Sequence, residues 1–193
     1  MRPIADDVVG GYNEFIDQQR QAPGDLTATL VEFNSLEPFH VIYSERPATR
    51  IYDLTREQYR PGGSTPLFDP VARLIGLIDR TDRAGVDQVV AIVTDGLKNT
   101  SREHTFADVT RLIAERTERG WAFVYLAAGF DAFEQGQRMR LDTVGQWKSD
   151  PDGVKNMWKD VGGNLISYRT KAELARAYAR KKFLDQVEEE DRQ

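Results

Sequence analysis

Hydrophobic positions change period several times along this chain, and each change marks an element. Ile4, Val8, Tyr12, Phe15 and Ile16 recur at helical spacing and predict an amphipathic helix over residues 3–20. Pro3 suits its first turn, and Asp6 and Asp7 complement the positive end of the helix dipole. After the turn Pro23-Gly24-Asp25 the pattern shortens. The run from Leu26 to Phe33 reads as a strand buried on both faces. Phe39 to Tyr43 is shorter and polar-flanked, the pattern of an edge strand antiparallel to it. Residues 45–64 read mostly as loop with one short turn, ending in Pro61-Gly62-Gly63-Ser64. Val71, Leu74, Ile75 and Ile78 then place a second helix over 68–80.

Val89 to Thr94 is a continuous apolar run of the kind found in central parallel strands, and it stops abruptly at Asp95-Gly96. Thr105 can cap a helix over 106–119, with Asp108 at the capping-box position and Phe106, Val109, Leu112 and Ile113 facing inward. Gly120 ends that helix. Trp121 to Ala127 reads as another buried strand, and Gly129 to about Gln137 as a turn and a helix. The remainder reads as helical, over 152–165 and 171–189, running into the acidic tail Glu188-Glu189-Glu190-Asp191. Alternation of helix with buried strand predicts an α/β fold: a Rossmann-like, doubly wound, mostly parallel sheet with helices on both faces. The strands at 89–94 and 121–127 are expected to be adjacent and parallel.

Composition narrows the classes of function. The 193 residues carry a net charge of −5, with 40% hydrophobic and 30% charged positions, an ordinary globular balance. No positive field favours nucleic acid or an anionic membrane, and neither is expected as a partner. Without cysteine there is no disulfide, thiolate nucleophile, zinc–thiolate site or iron–sulfur cluster. No apolar run approaches the roughly 20 residues that span a bilayer, and no signal peptide is evident, so a cytoplasmic setting is expected.

In an open α/β sheet, ligands bind beyond the carboxyl ends of the strands. Two loops stand out there, Gly62-Gly63-Ser64-Thr65-Pro66-Leu67-Phe68-Asp69 and Thr94-Asp95-Gly96. They offer a hydroxyl, a carboxylate and glycine backbone, all oxygen chemistry that suits a hard divalent cation. Each alone is also an ordinary turn, and Thr65 could simply cap a helix beginning at Pro66. The pair, in this order and separated by one helix and one strand, is more specific.

Gly63-Ser64-Thr65-Pro66-Leu67, the helix after it and the strand ending Val93-Thr94-Asp95-Gly96 closely resemble the von Willebrand factor A (vWA) family, in particular its bacterial single-domain members. In that family three loops build a metal-ion-dependent adhesion site (MIDAS). The resemblance implies that Thr65 is the site's threonine and Asp95 its aspartate, around Mg²⁺ (or Mn²⁺ or Ca²⁺). It covers residues 1–135 as an α/β domain and leaves 136–193 as a C-terminal helical extension packing on or trailing from it. The family's first loop carries Asp-x-Ser-x-Ser, and no such motif occurs in these 193 residues. The central strand that delivers it is therefore expected upstream of Met1, and the family's 3-2-1-4-5 strand order should show a gap between the strands at 26–33 and 88–94. Its loss would expose two apolar edges, which natural proteins avoid. Metal binding is expected only if the missing loop is supplied.

The function implied is a protein-binding module whose cation accepts an Asp or Glu carboxylate from a protein partner, and not an enzyme. A metal-dependent hydrolase using the same loops, or a metal-free scaffold, are the alternatives. His40 fills a strand position and His104 reads as a solvated loop residue, so neither supplies a general base. Glu103 could assist the site electrostatically but reads as solvated. Trp121, Trp147 and Trp158 read as core or cover residues, and the basic run Arg176 to Lys182 as a solvated helix face. No Gly-x-Ser-x-Gly elbow, Ser/His/Asp set or phosphate loop is present.

Overall fold

Seven consecutive residues, Ala122–Ala128, are all buried and form the middle strand of a parallel sheet. The computed structural model describes residues 2–83, 85–95, 100–139, 141 and 143–171. In chain order the elements are α1 (Ala5–Gln21), β1 (Thr27–Glu32), β2 (His40–Pro47), α2 (Phe68–Asp79) and β3 (Val89–Thr94). There follow α3 (Phe106–Glu118), β4 (Ala122–Ala128), α4 (Phe130–Arg138), β5 (Thr143–Trp147) and α5 (Pro151–Thr170). Short 3₁₀ turns precede α1 and follow β2.

The strands fall into two sheets. β3, β4 and β5 lie side by side and parallel, with Val89 opposite Ala122 and Val124 opposite Thr143. β1 and β2 form a separate antiparallel pair, with Leu30 opposite Tyr43. The expected parallel neighbours at 89–94 and 121–127 are present.

Alternation along β4 divides the core. Trp121, Phe123, Tyr125 and Ala127 pack with Val90 and Ile92 of β3, Val71 and Ile75 of α2, and Val109 and Ile113 of α3. Val124, Leu126 and Ala128 point the other way, onto Val154, Met157, Val161 and Leu165 of α5 and Val8 of α1. The sheet is thus covered on both faces. Further along α1, Tyr12 and Ile16 turn to the hairpin and pack with Tyr43, Ile51 and Leu54. One helix therefore closes two apolar clusters.

α1 approaches α5 closely because Gly11 and Gly162 lack side chains. A Cβ on Gly11 would collide with the Trp158 ring, and one on Gly162 would stand 2.7 Å from Gln18 Oε1. The buried Gln19 donates Nε2 to the Gly162 carbonyl at 3.1 Å, and Arg169 donates to both the backbone and side-chain oxygens of Gln19 at 3.1 Å.

Several expectations need correction. β1 is half-buried rather than enclosed, because it pairs with β2 on one edge and its exposure falls gradually along the strand. β2 runs on to Pro47 through a register irregularity at Glu45, the one non-glycine residue with positive φ (46°) among those described. The region after residue 138 is not wholly helical: Thr143–Trp147 is the third parallel strand, beyond the residue-135 limit of the resemblance. Its Gly145 and Gln146 hide it from a hydrophobic pattern. The helix expected over 152–165 runs from Pro151 to Thr170, with Asp150 Oδ1 accepting from the Gly153 N–H as its cap. All but the first residue of the helix expected over 171–189, and the basic run within it, lie outside the described residues. No helix among the described residues is long and apolar enough to cross a membrane.

Candidate functional site

Three loops meet beside the start of α2. The loop after β1 turns on Asn34, whose Oδ1 accepts from the Leu36 and Glu37 N–H groups at 2.9 Å each. It is clasped to the Gly62–Thr65 loop by two bonds: Ser35 N–H donates to the Ser64 carbonyl, and Ser64 N–H donates to Ser35 Oγ, both at 2.9 Å. Gly63 makes this possible. Its φ of +69° favours glycine, and a Cβ there would strike Ser35 Oγ. Behind the clasp, the buried Glu32 carboxylate accepts from the Arg60 N–H at 2.7 Å. Burial pushes its carboxyl pKa above the ordinary range despite that bond.

The second junction joins this loop to the one following β3. The Thr100 N–H donates to the Thr65 carbonyl at 3.0 Å, and the Ser64 and Thr100 hydroxyls stand 3.3 Å apart. Ser101 Oγ then accepts from the Phe68 and Asp69 N–H groups, at 2.8 and 3.1 Å, and so caps the first turn of α2. Asp69 returns the interaction. Its buried carboxylate accepts from the backbone N–H groups of Arg102 (2.8 Å), Glu103 (3.1 Å) and His104 (2.8 Å). Burial alone would raise its pKa, but these bonds outweigh it and hold the carboxyl below the usual aspartate range.

Asp95 follows directly on Thr94, the last residue of β3, and is half-buried at the carboxyl end of the parallel sheet. Thr65 is half-buried in the loop stitched to Thr100. The bonds that join the two loops run through Ser64, Thr65, Thr100, Ser101 and Asp69. Thr65 does not cap α2: the helix begins at Phe68, and its capping hydroxyl comes from Ser101, far along the chain.

Glu103 and His40 have structural partners of their own. Glu103 pairs with Arg73 at 2.6 Å, and His40 Nδ1 stands 2.8 Å from Glu37. His104 is not the solvated residue expected. It is half-buried, with Nδ1 3.4 Å from Asp69 Oδ1. Trp121 and Trp147 are buried and Trp158 half-buried, as core residues. Ser35, Ser101 and the anchoring role of Asp69 escaped the sequence pattern. Their partners are remote in the chain, so no local spacing marks them.

As cation ligands, Thr65 and Asp95 fit in kind, being hard oxygen donors, and fall short in number for a six-coordinate ion. Among the described residues no group of three His, Cys, Asp or Glu side chains could hold a metal ion. No protein family and no curated protein matches the chain.

Proposed function

We propose that this chain is a protein-binding module of the vWA type, presenting its contact surface at the carboxyl edge of the β3–β4–β5 sheet. The observation that carries the reading is the Thr100–Thr65 bond, which stitches the threonine loop to the loop that begins with Asp95. The parallel β3–β4 pair and the separation of β1–β2 from β3–β4–β5 support it, because a vWA strand order without its first strand leaves that break. We place it in the cytoplasm, with which a cysteine-free chain is compatible.

The chain's own residues provide the frame. Gly63 lets two loops approach, Ser101 and Asp69 fix the start of α2, and Asp95 offers a carboxylate at the strand end. Thr65 and Asp95 do not complete a cation site by themselves, and Mg²⁺ belongs to this reading only together with a third, Asp-x-Ser-x-Ser loop. When bound, the ion would supply an open coordination position for an Asp or Glu carboxylate of the protein partner.

Calorimetric titration with Mg²⁺ tests this, on the chain alone and with an added peptide bearing an apolar strand that ends in Asp-x-Ser-x-Ser. The reading expects uptake only with the peptide, lost in Asp95→Ala and in Thr65→Val. Uptake that survives both substitutions, or none with the peptide, overturns it.

A further inference from the structure

A cleft of about 500 Å³ opens at the carboxyl end of β5 and the first turns of α5, and it shares no residue with the Thr65 and Asp95 loops. Leu126, Met157 and Val161 give it an apolar floor. Asp150, Asp152, Asp160 and Lys148 stand around it, three carboxylates against one ammonium. Among the described residues no three such groups converge as metal ligands do. Their spread suits an elongated cationic group better than a point ion.

Two of the lining residues are unfinished. Trp147 is only 6% exposed, and its indole Nε1, a donor with no acceptor role, has no hydrogen-bond partner among the described residues. Asp160 is half-buried and takes no hydrogen bond from any described residue. Burial raises its carboxyl pKa, with Lys159 opposing that only in part. Asp150, by contrast, is already engaged in capping α5 through the Gly153 N–H. A buried donor and a half-buried anion without partners each cost stability until something satisfies them.

We propose that this cleft docks a basic residue, arginine or lysine, of a partner polypeptide. The methylenes of that side chain lie on Leu126, Met157 and Val161, and its cationic head meets Asp160 and Asp152. A peptide carbonyl beside it accepts from Trp147 Nε1, which a turn of the ring brings from its buried position to the cleft wall. This contact lies on the same edge of the sheet but uses none of the residues of the Thr65 and Asp95 loops, and it has the opposite charge preference.

The test uses the full chain, titrated with acetyl-Gly-Arg-Gly-amide, with acetyl-Gly-Gln-Gly-amide and with spermidine. Binding is followed by calorimetry and by the Trp147 indole N–H resonance, assigned by its loss in Trp147→Phe. The arginine peptide is expected to bind saturably and shift that resonance, and the glutamine peptide to do neither. Asp160→Asn should weaken binding by about ten-fold, the value of one hydrogen bond to a charged group, while melting normally. Asp95→Ala should leave it unchanged, which separates this site from the Thr65 and Asp95 loops. Failure of the arginine peptide to saturate, or equal binding by Asp160→Asn, overturns the proposal. Spermidine binding as tightly as the peptide would overturn the carbonyl–indole contact and leave a site for free polyamines.

Discussion

Asp69 and Ser101 hold each other's segments in place. The Ser101 hydroxyl caps the helix that contains Asp69, and the Asp69 carboxylate gathers the three backbone N–H groups that follow Ser101. Neither residue is near the other in sequence, yet together they lock the loop after β3 onto the start of α2.

Substitution should expose this mutual dependence. Asp69→Asn keeps one acceptor oxygen but sets an NH2 against either the Arg102 N–H or the Glu103 and His104 N–H groups, and is expected to cost about 1–3 kcal/mol in urea denaturation. Ser101→Ala removes a helix cap and should cost about 1 kcal/mol. In a double-mutant cycle the two should couple by at least about 0.5 kcal/mol, and strict additivity would show that they act separately.

Acid should loosen the same junction. The folded Asp69 pKa lies below its ordinary 3.8. Its stabilisation is therefore present above 3.8 and is lost as pH falls through the lower folded value. Denaturation midpoints measured on both sides of that window should fall more steeply in the parent chain than in Asp69→Asn.

Glu32 has the opposite sign. Burial raises its folded pKa above the ordinary 4.5, so a cost appears as pH rises from 4.5 through the folded value. Glu32→Gln keeps an oxygen for the Arg60 N–H and removes the charge. It should match or exceed the parent in stability at pH 7 and lose that advantage at low pH. A variant less stable than the parent at neutral pH would contradict this account.

Neighbouring glycines in α1 should respond oppositely to alanine. Nothing lies within 4 Å of a Cβ placed on Gly10, so Gly10→Ala should gain about 0.5–1 kcal/mol from helix propensity. On Gly11 the new methyl meets the Trp158 ring, itself packed at 5.4 Å against the rings of Tyr12 and Phe15. Gly11→Ala should lower the melting temperature, and equal effects at the two positions would refute the close α1–α5 approach.

Tyr125 carries a fully buried hydroxyl with no partner among the described residues. Tyr125→Phe should therefore be neutral or stabilise by about 1 kcal/mol, read from the same denaturation curves.

What could be read from sequence was whatever local periodicity governs. The four apolar positions of α2, the continuous run of β3 and the Thr105–Asp108 capping box all appear, the last with both of its backbone bonds. β5 was illegible because Gly145 and Gln146 break its apolar pattern, and only pairing with β4 makes the segment a strand. The burial of β1 was overread, since an apolar run shows the capacity to be covered and not what covers it. At the candidate site, Thr65 and Asp95 could be singled out by chemistry. The residues that position their loops, Ser35, Asp69 and Ser101, act through distant backbone groups that leave no local trace.

The bonds from Gln19 to Gly162 and from Arg169 to Gln19 span 143 and 150 residues. During synthesis α1 thus leaves the ribosome long before the helix that covers it exists. Until then its apolar face has the β1–β2 hairpin and, later, β4 to lean on. Contacts of such separation slow folding and leave early chains open to misassociation. Chains arrested before α5 should accordingly be held by chaperones or cleared, and the native fold should form in one late, cooperative step when α5 docks.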